Sequence, residues 1–148
     1  MKKINEFRKL LGVDQNVTLR ELKTIYRNAM KETHPDKFAD DENGKIAAEE
    51  HSKSIIESYH YLVSINPETH EKNKEEYEEA ITNSIILDFY LEKQILYVSH
   101  HNGTTYEYMG VPRNVYIKMI NSDSPSRFAR RHIYGKFLYR KASNGLEN

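Results

Sequence analysis

Apolar residues recur at intervals of three and four in two segments of the N-terminal half. The first series is Leu19, Leu22, Ile25, Tyr26, Ala29 and Met30, and the second is Ile46, Ile55, Ile56, Tyr59, Leu62 and Val63. This spacing predicts two amphipathic helices. Pro35 lies between them, cannot donate a backbone hydrogen bond and disfavours helical backbone at His34, so the first of these helices must end near Thr33. We therefore predict an antiparallel helical hairpin with His34, Pro35 and Asp36 at its tip.

A shorter helix is predicted before this hairpin, over residues 4–11. Gly12 follows it and suits the left-handed conformation that ends many helices. Phe7, Leu10 and Leu11 fall on one face. We expect that face to pack under the hairpin.

Polar residues mark where the two long helices begin. Thr18 and Glu21 have the spacing of a capping box. Asp40, Asp41 and Glu42 supply negative charge where the next helix starts. The same acidic cluster lacks the regular ligand spacing and the closing glutamate of a calcium loop, so no metal site is predicted.

Three segments of this half resemble the J domain of DnaJ-type co-chaperones, in order and with matching spacing: residues 7–13 (FRKLLGV), 26–37 (YRNAMKETHPDK) and 55–62 (IIESYHYL). The resemblance covers residues 5–66. It implies an all-α domain in which a short helix I precedes an antiparallel helix II and III pair. It also implies that the loop between helices II and III stimulates ATP hydrolysis by a DnaK-type heat-shock chaperone.

The resemblance assigns the loop residues His34, Pro35, Asp36 and Lys37 to chaperone binding. The chemistry fits, because Asp36 offers a carboxylate that can accept two hydrogen bonds from a partner arginine, and Pro35 stiffens the loop. His34 can orient the loop by hydrogen bonding. The alternative is an ordinary helix-ending turn. A catalytic pair of His34 and Asp36 is not predicted, because no nucleophile motif accompanies them.

Four basic residues, Arg20, Lys23, Arg27 and Lys31, share one face of the predicted second helix. The resemblance makes this basic stripe part of the chaperone-binding surface, whereas the alternative is a solvated helix face. Thr33 departs from the family pattern, in which an aromatic residue or a histidine often precedes the motif.

The pattern changes to strands near Asn83. Residues 84–91 and 94–99 are rich in β-branched and aromatic side chains and predict a hairpin. Asn102 and Gly103 predict a turn into a third strand, over residues 104–109. The sheet expected is therefore antiparallel, with three or four strands.

Two helices are predicted to cover this sheet, over residues 112–120 and from Ser124 onwards. Met119 and Ile120 are placed on the packing side of the first helix. Residues 134–139 then add a last strand or close against the sheet.

This half resembles the KTSC domain, a small α+β module found alone in bacterial proteins and at the C-terminus of some lysyl-tRNA synthetases. The resemblance rests on residues 106–108 (YEY), 110–112 (GVP), Tyr116 and residues 126–137. RNA binding has been suggested for the family, and we expect this module to give client or location specificity.

Charge and composition separate the two halves and limit the protein's compartment. Residues 1–83 hold 13 basic and 17 acidic side chains, whereas residues 84–148 hold 9 and 5. The absence of cysteine fits a reducing compartment, and no stretch suits a membrane span, so the cytoplasm is expected. The predicted organisation is a J domain with a trailing charged helix over 1–78, a linker over 79–83, the KTSC-like domain over 84–142 and a tail over 143–148.

A basic and aromatic segment near the C-terminus offers an alternative function. Its cations are Arg127, Arg130, Arg131, Lys136, Arg140 and Lys141, with no acidic residue among residues 127–141. With Tyr106 and Tyr108, which share a strand face, they would suit single-stranded RNA, although the same aromatics can form the core.

A histidine set in the second half, His100, His101 and His132, is interpreted as surface residues. No cofactor, metal or catalytic site is predicted. The main prediction is a co-chaperone for a DnaK-type ATPase, and the alternative is an RNA-binding adaptor.

Overall fold

The computed structural model describes residues 2–38 and 40–142, without the side chain of Pro35. The chain divides between His70 and Glu71 into two compact units. The first is entirely helical, and the second combines helices with a sheet. The predicted sequence of an all-α domain followed by an α+β domain is confirmed.

The first unit contains helices α1 (Lys2–Leu11), α2 (Leu19–Glu32) and α3 (Glu42–Ile65), and the boundary between the units falls inside α4 (Pro67–Lys72). A short 3₁₀ helix, Pro35–Phe38, lies between α2 and α3. The predicted antiparallel hairpin is therefore present. Its core consists of Ile4, Leu11, Leu22, Ala48, Ile55, Tyr61, Leu62 and Ile65.

Helix α1 shows one error in the predicted inner face. Leu11 is buried as expected, but Leu10 is exposed and Ile4 is buried instead. Ile4 and Leu11 are seven residues apart, two helical turns, so they lie on the same side of the helix. Gly12 has a φ of 69°, which confirms the left-handed end of α1.

The second unit contains α5 (Lys74–Asn83), β1 (Ile86–Glu92), β2 (Ile95–His100), β3 (Thr105–Met109), α6 (Arg113–Ile120), α7 (Pro125–His132) and β4 (Tyr139–Lys141). The strands form an antiparallel sheet in the order β1-β2-β3-β4. Lys93 and Gln94 both have positive φ and form the turn between β1 and β2, while Gly103 has a φ of 90° in the next turn.

The core of the second unit joins the sheet to its three helices. Its buried members are Ala80, Leu96, Val98, Tyr106, Tyr108, Val111, Met119, Ala129 and Ile133. Met119 is buried as predicted, but Ile120 is exposed. Residues 79–83 are the C-terminal part of α5, and Ala80 within it is fully buried in this core.

Candidate functional site

The base of the loop between α2 and α3 is fixed by hydrogen bonds between Thr33 and Ser52. Thr33 Oγ1 lies 3.3 Å from Ser52 Oγ and 2.9 Å from the Ala29 carbonyl oxygen. Ser52 Oγ also donates to the carbonyl of Thr33 over 3.2 Å. Ser52 is buried on α3, so these bonds hold the end of α2 against its neighbour. Thr33 thus anchors the loop by polar contacts.

The tip of the hairpin presents the Asp36 carboxylate to solvent. The Asp36 side chain is 90% exposed, and that of His34 is 56% exposed. His34 Nδ1 lies 3.2 Å from the Asp36 backbone nitrogen and 3.5 Å from Asp36 Oδ2. His34 Nδ1 thus accepts a hydrogen bond from the Asp36 backbone N–H and orients the loop. The Asp36 carboxylate points away from the core.

The far side of the loop is fixed by the N-terminus of α3. Asp41 caps this helix by accepting a hydrogen bond from the Gly44 N–H through Oδ1 over 3.0 Å. A Cβ at position 44 would lie 2.5 Å from Asp41 Oδ2 and 3.2 Å from Phe38 Cδ1. Glycine therefore leaves room for the capping carboxylate of Asp41 and for Phe38 beside the first turn of α3. The predicted acidic start of α3 is confirmed.

The start of α2 is held by its own cap and by the chain beyond α3. Thr18 and Glu21 form the predicted capping box. In addition, Glu68 Oε2 accepts a hydrogen bond of 2.7 Å from the Leu19 N–H. Asn66 Nδ2 donates to the Val17 carbonyl over 2.9 Å. Helix α2 is thus anchored at both ends, which fixes the direction of its side chains.

The basic stripe of α2 is exposed along its length. Its members are Arg20, Lys23, Arg27 and Lys31. In the described part of the chain, none of the four lies within 4.0 Å of a carboxylate. Lys37 of the loop is exposed as well. The hairpin therefore carries an exposed carboxylate at its tip and a row of unneutralised cations along one side.

Tyr106 and Tyr108, one element of the alternative RNA-binding prediction, are buried in the second unit. The Tyr77 and Tyr108 hydroxyls lie 3.1 Å apart, and the Tyr77 ring stacks on Tyr139 with centroids 3.9 Å apart. Burial raises the pKa of Tyr106 and of Tyr134 to about 12 and raises that of Tyr108 further. These rings belong to the core and offer no stacking face for a base.

The basic residues of that prediction fall into two groups. Arg140 Nη1 contacts Glu107 Oε2 at 2.6 Å, and Lys141 Nζ contacts Glu76 Oε1 at the same distance. Arg140 and Lys141 therefore already form ion pairs within the second unit. The other members, Arg127, Arg130, Arg131 and Lys136, are exposed, and none has an ion pair within the described residues.

His100 contradicts the interpretation of the histidines as surface residues, because it is only 1% exposed. Neither of its ring nitrogens meets hydrogen-bond geometry with a partner among the described residues. Burial lowers the pKa of His100, and the backbone of Ser84 partly opposes this effect. The signal was present in the sequence, since His100 continues the alternation of Leu96 and Val98 along β2.

Within the described residues, no cluster of three or more histidine, cysteine, aspartate or glutamate side chains is arranged to hold a metal ion. No helix in residues 2–38 or 40–142 has both the length and the hydropathy needed to cross a bilayer.

The antiparallel pair of α2 and α3, preceded by the short helix α1, is the helix arrangement expected of a J domain. Residues 6–78 match the family model of the DnaJ domain, and residues 83–137 match that of the KTSC domain. Residues 6–78 are therefore assigned to a J domain, and residues 83–137 to a KTSC domain.

Two curated relatives are similar to part of this chain, and both are named Chaperone protein DnaJ. The one from Hydrogenobacter thermophilus is 35% identical over 78 residues, which are 53% of this chain and 19% of the relative. The one from Fusobacterium nucleatum subsp. polymorphum is 41% identical over 58 residues, which are 38% of this chain and 15% of the relative. The chain thus spans less than a fifth of the length of either relative.

Proposed function

We propose that this protein is a co-chaperone that docks on a DnaK-type heat-shock chaperone and stimulates its ATPase. The observation that carries the proposal is the Asp36 carboxylate, which is 90% exposed at the tip of the hairpin. An arginine of the partner would donate two hydrogen bonds to it. This chain contributes no catalytic group, because hydrolysis belongs to the partner. Its contribution is preferential binding to the partner conformation that hydrolyses ATP faster.

The basic stripe of α2 supports the same proposal. Exposed cations without a carboxylate neighbour attract an acidic surface over a distance and speed its association. The stripe and the Asp36 carboxylate would then have different roles. The cations accelerate association with the chaperone, and the loop makes the contact on which ATPase stimulation depends. The lack of cysteine in the chain agrees with a cytoplasmic location, which is part of the proposal.

The test is a steady-state ATPase assay of a DnaK-type chaperone with the intact protein and with the variant Asp36→Asn. We expect the variant to lose stimulation by about tenfold or more, because truncating one partner of a desolvated charge pair costs several kcal/mol. Asp40→Asn is the matched control, since it removes an exposed carboxylate from the same loop. Equal stimulation by Asp36→Asn and by the unmodified protein would refute the proposal.

The stripe requires a separate measurement. Arg27→Ala should slow association with the chaperone, and the difference from the unmodified protein should shrink as salt is added. Lys53→Ala removes an exposed cation from α3 and should leave the association rate unchanged. If both substitutions slow association equally, overall charge rather than this surface steers the encounter.

We assign client or location specificity to the second unit, because the docking surface proposed above lies wholly in the first. The proposal requires the two roles to be separable. Neutralising Arg130 on α7 should therefore leave ATPase stimulation unchanged. A loss of stimulation in Arg130→Gln would contradict that division of roles.

A further inference from the structure

A cleft of about 190 Å³ opens beside α7 in the second unit. It is lined by residues 122–124, in the turn between α6 and α7, and by four residues of α7: Arg127, Phe128, Arg131 and His132. Neither the hairpin nor the core of the second unit requires a cleft here, and nothing in the proposed co-chaperone activity uses it.

The cleft carries more positive charge than its surroundings neutralise. Arg127 and Arg131 are four residues apart, so both guanidinium groups project from the same side of α7. Both are exposed, and neither has an ion pair among the described residues. Asp123 supplies the one carboxylate of the lining, which leaves an excess of cation. Like charges at this spacing destabilise a helix, and an anion bound between them would remove that cost.

The remaining lining groups indicate what kind of anion fits. Ser124 Oγ accepts the Arg127 N–H over 3.2 Å, which leaves its hydroxyl hydrogen for another acceptor. The hydroxyl of Ser122 is already used, since it donates to the Met119 carbonyl over 2.7 Å. Phe128 and His132 form an aromatic side, with ring centroids 4.7 Å apart. The cleft thus combines two guanidinium forks, one hydroxyl donor and an apolar ring surface.

We propose that this cleft binds the terminal phosphate of a small phosphate monoester. Guanidinium forks match phosphate oxygens, and a dianion neutralises two arginines. The other cations of this region, Arg130 and Lys136, do not line the cleft. A single phosphate group therefore suits the geometry better than a nucleic-acid backbone, which needs cations spread along a groove.

The experiment is calorimetric titration of the intact protein at constant ionic strength with phenyl phosphate, phenyl sulfate and inorganic phosphate. Phenyl phosphate should bind more tightly than phenyl sulfate, which has a similar shape but one charge fewer. Arg127→Gln and Arg131→Gln should each weaken phenyl phosphate binding by about tenfold or more, as expected for lost hydrogen bonds to a charged group. Inorganic phosphate binding as tightly as phenyl phosphate would support the same site and identify free phosphate as its ligand.

Arg130→Gln is the matched control, because it removes the same charge from the same helix outside the cleft. It should change the affinity by less than about twofold. The proposal is overturned if phenyl phosphate does not bind, or if Arg130→Gln weakens binding as much as Arg131→Gln. It is also overturned if single-stranded RNA without terminal phosphates binds more tightly than phenyl phosphate, since that would indicate a polyanion surface. Each outcome is independent of the ATPase assay.

Discussion

The ion pair between Arg140 and Glu107 allows a sharp test of how the second unit is stabilised. The two side chains are 13% and 9% exposed, and Arg140 Nη1 lies 2.6 Å from Glu107 Oε2. Arg140→Met would leave the Glu107 carboxylate with little water and without this cation, which costs about 3–5 kcal/mol. A unit of this size has a total stability of about 4–12 kcal/mol. The substitution should therefore remove a large part of it.

The assay is differential scanning calorimetry of the intact chain. In Arg140→Met the midpoint temperature of the unfolding transition of the second unit should fall by more than about 10 °C. Lys141→Met is the matched control. The contact between Lys141 and Glu76 has the same 2.6 Å length, but the two side chains are 47% and 45% exposed. Water and salt screen such a pair, so its loss should cost less than about 1 kcal/mol.

A double variant distinguishes the burial of charge from the loss of packing. Glu107→Leu combined with Arg140→Met removes both charges, so we expect it to recover most of the stability lost in Arg140→Met. The reasoning is refuted if Arg140→Met costs no more than Lys141→Met. It is refuted equally if the double variant is destabilised by the sum of the two single variants, because the pair would then contribute no coupling.

Two further predictions concern pH and helix capping. Burial lowers the pKa of His100 below its value near 6.5 in the unfolded chain. Below about pH 7 the unfolded chain therefore binds more protons than the folded one. The second unit loses stability as the pH falls towards the pKa of the folded state. The measurement is the free energy of unfolding by denaturant between pH 7.5 and 5. His100→Leu should make this free energy depend less on pH, whereas His101→Leu, at an exposed site, should not. The explanation is contradicted if the two variants show the same dependence on pH. Thr18→Ala should lower the free energy of unfolding of the first unit by about 1 kcal/mol. Glu68→Ala should speed hydrogen exchange at the Leu19 amide. Unchanged exchange would mean that the Glu68 contact does not protect this amide.

Local sequence signals predicted the hairpin and its ends well. The capping box of Thr18 and Glu21 and the break imposed by Pro35 act over a few residues, so the sequence alone defines them. The exposure of Asp36 follows from its place at the tip of two packed helices. The family resemblance added the expected role of this residue, which no local pattern contains.

Contacts between distant residues were not predictable in the same way. Strand alternation alone does not show that Glu107 is buried, because its partner Arg140 lies 33 residues further along the chain. The charged helix predicted before residue 79 gave no sign of a contact with the sheet, yet the Tyr77 hydroxyl reaches Tyr108, which is 31 residues away. Periodicity also overestimated the apolar faces, as Ile46 and Ile120 show, since both are exposed. Which apolar residue is covered depends on where the neighbouring element ends.

The place of α5 has a practical consequence for expressing either domain by itself. The two family matches end at residue 78 and begin at residue 83, so both limits fall within or at the end of α5. If the chain is cut after residue 78, Tyr77 is removed from the second unit, and only residues 79–83 of α5 remain with it. This remnant, which includes Ala80, would not stay helical, so the core of the second unit would contain a cavity where α5 had packed. A cut between His70 and Glu71 divides the short helix α4 but keeps the whole of α5 with the sheet that it covers. Fragments made that way should be the ones that stay monodisperse after purification.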